Sequence, residues 1–142
     1  MANALYDLGR QGFLAGDIDW DGASICVALV SANSTASAVT TAQFYSDIDN
    51  VIIASHSSGD NDLQGKSVTN GVADATDFQF SSVTSGSTVD AIVLYQWDGT
   101  TTTSELIAYI DTETGSTPIS LPTNDGAITI AWDDGANKIF KL

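Results

Sequence analysis

Val89-Asp90-Ala91-Ile92-Val93-Leu94-Tyr95-Gln96-Trp97, then Asp98-Gly99-Thr100, then Leu106-Ile107-Ala108-Tyr109-Ile110-Asp111 is the stretch on which the fold turns. Both apolar runs are short and rich in β-branched and aromatic residues, the types that fit a pleated surface. Asp-Gly between them supplies the backbone freedom of a hairpin-type turn, so the two runs are expected to pair antiparallel.

The same grammar extends in both directions. Downstream, Ile128, Ile130 and Trp132 fall on one strand face, and Asp133-Asp134-Gly135 turns into a short final strand ending at Leu142. Residues 112–126 hold both prolines and are expected to be a loop. Upstream, Val72 to Ala75, Phe78 with Phe80 and Val51 to Ser55 read as strands, and the Ser57 to Asp62 stretch carries dense turn signals. Residues 24 to 31 are expected to form a strong strand, apolar on both faces and therefore central.

Phe44 and Ile48 stand four apart, the spacing of one or two helical turns beneath a sheet, and Asn33 to Thr41 is a polar loop. At the start, Asn3 is a candidate cap for a helix through Leu5, Leu8, Phe13 and Leu14, with Gly16 as its stop. Gly9 and Gly12 weigh against that helix at about 1 kcal/mol each, and an extended arm over residues 1–16 is the alternative. The expectation is a mainly β, single-domain antiparallel β-sandwich or barrel over residues 1–142, with one or two short helices in the N-terminal half.

A chain of 142 residues is long enough to bury a core without disulfide or metal staples. Its 18 acidic and 4 basic residues give a net charge of −14. That balance argues against nucleic acid, which needs cations to displace counterions from phosphate, and against a negative membrane surface. It suits solubility and mutual repulsion, and otherwise a cation or a basic partner. Cys26 is the sole cysteine, set among apolar neighbours, so a buried thiol is expected and an intrachain disulfide is excluded. The first residues lack the basic-then-apolar pattern of a secretory leader, no apolar run is long enough to span a bilayer, and synthesis in the cytoplasm is expected.

Chemistry-bearing motifs are sparse. Asp17, Asp19 and Asp21 alternate ahead of Gly22, as hard oxygen ligands do in a Ca2+ loop, but the position where an EF-hand places its bidentate Glu is Ala28. A looser Ca2+ site and a solvated acidic turn are the two readings, and the turn reading also serves Asp60, Asn61, Asp62, Asp133 and Asp134. His56 is the only histidine and stands in a Ser-rich segment, without a Gly-x-Ser-x-Gly elbow or a helical Glu-x-x-His pattern in the chain. No catalytic residues are assigned, and the expectation is that the protein is not an enzyme. Trp20, Trp97, Trp132, Tyr95 and Tyr109 are the aromatics available for a sugar platform. Trp97, at a strand end before a turn, is the candidate glycan contact, and Trp132 reads as core. Asn33-Ser34-Thr35 matches a glycosylation acceptor, which carries little weight without a secretory leader.

Taken together, Ala4-Leu5-Tyr6-Asp7-Leu8-Gly9-Arg10-Gln11-Gly12-Phe13-Leu14-Ala15-Gly16-Asp17-Ile18-Asp19-Trp20, Phe44-Tyr45-Ser46-Asp47-Ile48, Gly71-Val72-Ala73-Asp74-Ala75 with Phe78, Ala91 to Tyr95, Leu106 to Asp111, and the ending Gly126 to Leu142 resemble small virion structural proteins of tailed bacteriophages. The resemblance spans nearly the whole chain and rests on no single diagnostic motif. It implies a capsid decoration, or cement, protein on the outer capsid surface, bridging subunits of the major capsid protein as a homo-oligomer, with a trimer at local threefold positions as the expected form. The contact candidates are Leu5, Tyr6, Leu8, Arg10 and Phe13 at the N-terminus and Lys138, Phe140, Lys141 and Leu142 at the C-terminus, which between them hold three of the four basic side chains. The alternative readings are that these residues close the core, or that the protein is a carbohydrate- or receptor-binding head-fibre or tail module, or a calcium-stabilised β module.

Overall fold

A computed structural model describes residues 3–31, 36–55 and 62–142. The strands are β1 (Ala4–Leu5), β2 (Ile25–Val30), β3 (Ile52–Ser55), β4 (Ser67–Thr69), β5 (Val72–Asp74), β6 (Phe78–Phe80), β7 (Thr88–Val89), β8 (Ala91–Gln96), β9 (Leu106–Ile110), β10 (Leu121–Pro122), β11 (Ile128–Ile130) and β12 (Phe140–Lys141), with one α-helix, α1 (Asp7–Ala15). They form four antiparallel sheets in a sandwich-like arrangement that does not close into a barrel.

The main sheet has the order β1-β9-β8-β2-β3. Every residue of β2 is buried, as its unbroken apolar run predicts. Ile25, Val27 and Leu29 enter one core cluster with Leu94 and Ile107, while Cys26, Ala28 and Val30 enter a second with Val93 and Tyr95. Alternation along a strand sends successive side chains to opposite faces, so these are the two sides of one sheet. Each fully buried aliphatic side chain contributes about 1.5–3 kcal/mol relative to exposure.

One face is covered by Tyr6, Ala36, Ala42 and two 3-10 turns, Tyr45–Asp47 and Asp49–Val51. The Asp47 carboxylate accepts from the backbone N–H groups of Gln43 and Phe44, 2.9 Å each, and so fixes the first turn. The opposite face is covered by the small sheets β12-β5-β4, β11-β6 and β10-β7. Cys26 lies on the first face with its thiol pushed up to about 12, by burial first and then by the Asp62 charge, which keeps it in the unreactive thiol form.

The β8–β9 hairpin pairs as expected, with Ile92 opposite Ile110 and Val93 opposite Tyr109. Its register slips where Tyr95 faces Leu106 but Leu94 faces Ala108, leaving Ile107 as an extra residue. Because of that bulge, Ile107 and Ala108 both serve the same core cluster. α1 lies directly on it. Tyr6 donates its N–H to the Ile107 carbonyl (3.0 Å), and a Cβ on Gly9 would come within 2.7 Å of the Leu106 carbonyl oxygen and 3.0 Å of the Ile107 Cα.

Several expectations need correction. Asn3 does not cap α1: its side chain bonds the backbone of Asp111 and Thr112, and the chain enters the helix through Tyr6 after the short strand β1. Gly16 does stop the helix, in the left-handed region at φ 82°. Val89 to Trp97 is two strands, because the Asp90 N–H donates to the Val30 carbonyl (2.9 Å) and sends β7 away to pair with β10. Residues 112–126 therefore contain a strand, with Pro122 on a two-stranded edge where its missing N–H is tolerated. The Asn33 glycosylation acceptor, His56, Asp60 and Asn61 lie outside the described residues.

Gly9→Ala is expected to destabilise the protein by about 1–3 kcal/mol through overpacking against backbone, although alanine is the better helix former. Chemical denaturation checks this; unchanged or increased stability would contradict the close approach of α1 to the bulge.

Candidate functional site

Two surfaces stand out, one at the end of the sandwich where the termini meet and one where the second layer is incomplete.

At the first, Phe140 from β12 packs against Phe13 of α1 with ring centroids 5.9 Å apart and edge-on against Trp20 at 5.2 Å and 88°. The N- and C-terminal candidate segments are thus brought together. The roles of their residues divide sharply. Tyr6 is fully buried, its hydroxyl donating to the Ala36 carbonyl, so its side chain belongs to the core and is corrected from contact residue to core residue. Leu5, Phe13 and Phe140 are half-buried against the core, and Leu8 is half-buried. Arg10 and Lys141 are exposed; Arg10 pairs with Asp7 at 2.6 Å. Lys138 reaches Asp74 (3.8 Å) and Asp134 (3.6 Å). Leu142 is 57% exposed, Val68 on the neighbouring β4 is 50% exposed, and Leu14, which follows Phe13, is 91% exposed. Single exposed apolar side chains are ordinary on a protein surface, and a contiguous patch of them marks a contact surface.

The Asp17-Ile18-Asp19-Trp20-Asp21 segment explains its own alternation. Ile18 and Trp20 are buried and the three aspartates are exposed, so the carboxylates are the solvent side of an extended stretch. The Asp19 carboxylate accepts from the Gly22 N–H (3.0 Å), and Gln96 clamps the segment by donating to the Asp17 carbonyl (2.9 Å) and accepting from the Asp19 N–H (3.0 Å). Among the described residues no three His, Cys, Asp or Glu side chains converge in a metal-holding group.

Beside this segment lies a feature that sequence reasoning missed. Glu105 Oε2 is sealed from solvent without a hydrogen-bond partner among the described residues, in space that Gly12 leaves open: a Cβ there would stand 2.6 Å from it. Burial first, then the Asp17 and Asp98 charges, raises the Glu105 carboxyl above its ordinary value. Asp98 goes the other way. Burial pushes it upward, but hydrogen bonds from Thr103, Thr100 and Ser104 outweigh that and hold it below the usual range.

Trp97 is half-buried on the far face, edge-on to Tyr45 (5.8 Å, 69°) and Tyr95 (6.4 Å, 85°). Its ring is engaged with these two tyrosines, and it does not line the cleft. Trp132, read as core, is half-buried against the main cluster and lines the second surface, a cleft of about 670 Å³.

That cleft opens over the main sheet. Its floor is Leu29, Ile92 and Ile110. One wall is β11 continuing through Ala131, Trp132 and Asp133; the other is a hairpin-like lobe from Asp111 to Leu121, held by Ile119 N–H to Asp111 O (2.8 Å) and Glu113 N–H to Thr117 O (2.7 Å). Thr114 donates to Asp133 (3.2 Å) and joins the two walls at one end. The volume is in the range of ligand clefts.

No protein-family model, no curated protein and no solved structure matches the chain. Among the described residues no helix is long and apolar enough to cross a membrane.

An acid whose folded-state pKa is raised favours the folded state most below its unfolded value, near 4.5, and loses that contribution as pH rises through the folded value. Glu105→Gln is therefore expected to raise the melting temperature at pH 7 relative to the parent, with the difference shrinking towards pH 4. A difference that is constant across pH, or a variant less stable at pH 7, would contradict the assignment.

Proposed function

We propose that this protein is a non-enzymatic virion structural component, a capsid decoration protein that bridges neighbouring subunits of a major capsid protein and stabilises the shell from its outer surface. The observation that carries the reading is the end of the sandwich where Phe13, Trp20 and Phe140 lock the termini together and leave Leu14, Val68 and Leu142 exposed. The charge of −14 supports it, since it makes a packaged genome repulsive and keeps a high-copy protein soluble. A domain of this kind works by mass action: it binds surface present only in the assembled lattice, and so stabilises that lattice by its binding free energy. A homotrimer would match a local threefold position.

Two rival readings draw on weaker observations. A glycan-binding fibre module would use an aromatic face, and Trp97 is half-buried against Tyr45 and Tyr95. A calcium-stabilised module would need the exposed Asp17, Asp19 and Asp21 carboxylates to find a further ligand.

Added to capsids of the virus that encodes it, purified protein is expected to bind and to raise their heat resistance. Leu14→Asp and Leu142→Asp together are expected to reduce binding tenfold or more while leaving the isolated protein's melting temperature within a few degrees. Absence of the protein from purified virions, or full binding by that double variant, would contradict the reading.

A further inference from the structure

The cleft beside β11 has the features of a strand vacancy. β11 pairs with β6 and with no other strand among the described residues, so its outer edge runs along the cleft. The floor beneath it presents Ile92 and Ile110, cross-strand partners on β8 and β9, and both are half-buried while every residue of the neighbouring β2 is buried. Ile119, Ile128 and Trp132 in the walls are half-buried as well, and Leu121 at the rim is 45% exposed. The cleft measures about 670 Å³ above that floor. This is far more than a packing defect, and covering its apolar side chains would be favourable.

Charge selects the occupant. The rim carries Glu113 and Asp133, while its single cation, Lys138, already faces Asp74 and Asp134. We propose that the cleft binds an extended segment of another protein, with apolar side chains at alternate positions and a net positive charge, added as a strand beside β11. Main-chain hydrogen bonds to the open edge would supply affinity, and the isoleucine floor would select every second side chain. The inference stands apart from the shell-binding reading, since it concerns a different surface and would hold for a tail or neck component equally.

The test is selection of an mRNA-displayed library of random twelve-residue peptides on the immobilised full chain, followed by affinity measurement and methyl NMR of the isoleucines. The expected result is enrichment of peptides alternating apolar and other residues with excess Lys and Arg, shifting the Ile92, Ile110 and Ile128 methyls. Ile110→Arg should weaken binding at least tenfold. Glu113→Lys, an exposed change that leaves the fold intact, should weaken it severalfold and more at low salt than at high salt. Peptides without alternation or without basic excess, binding that leaves those methyls unmoved, indifference to Glu113→Lys, a failure to enrich anything, or occupation of the cleft by a second copy in ultracentrifugation would each overturn the proposal.

Discussion

Six consecutive buried residues, Ile25 to Val30, require apolar cover on both sides of the strand they form, and the molecule is organised around meeting that requirement. A strand with one wet face needs a single packed layer; β2, with none, needs two. The chain provides the first with Tyr6, Ala36, Ala42 and the 3-10 turns after Phe44, and the second with small sheets built from residues 67–141. The bulge at Ile107 belongs to the same solution. It turns an extra apolar side chain toward the second layer and creates the flat spot on which α1 rests through Gly9.

The two layers are not equally complete. Over the first face the cover is continuous enough that Ala28, Val30, Ala91 and Val93 are wholly inaccessible. Over the second, short two- and three-residue strands cannot tile the sheet, and the cleft between β11 and the 111–121 lobe is the remainder. Both candidate surfaces arise from this layer: the terminal end because β12 is pinned by Phe13 and Trp20, the cleft because β11 has no second strand neighbour among the described residues. Function, on this account, belongs to the less finished side of a rigid sheet.

How much of this is legible in the sequence follows from the range of the interactions involved. The β8–β9 hairpin, the doubly buried β2, the Gly16 stop and the buried thiol are local patterns, and each is found where the residues place it. The errors come from long-range partners. Asn3 has the chemistry of a helix cap, but its amide is claimed by Asp111 and Thr112, over a hundred residues away. Asp90 splits one apparent strand into two through a bond to Val30, and β10 exists only because β7 is thereby redirected. The alternation of Asp17, Asp19 and Asp21 resembles a ligand pattern, yet the buried Ile18 and Trp20 between them account for it as sidedness. Neither the cleft nor the Glu105 oxygen that lacks a partner among the described residues leaves any trace in composition, because both are set by long-range packing.

Native-state hydrogen exchange across a denaturant series tests the central claim most directly, that one sheet centred on a doubly buried strand is covered by a second layer that is less complete than the sheet itself. The account predicts that amides of β2 and β8 exchange only through global unfolding, while those of β10, β11 and the 111–121 lobe open at clearly lower free energy. Uniform protection across both layers, or earlier opening of β2 than of β11, would contradict it.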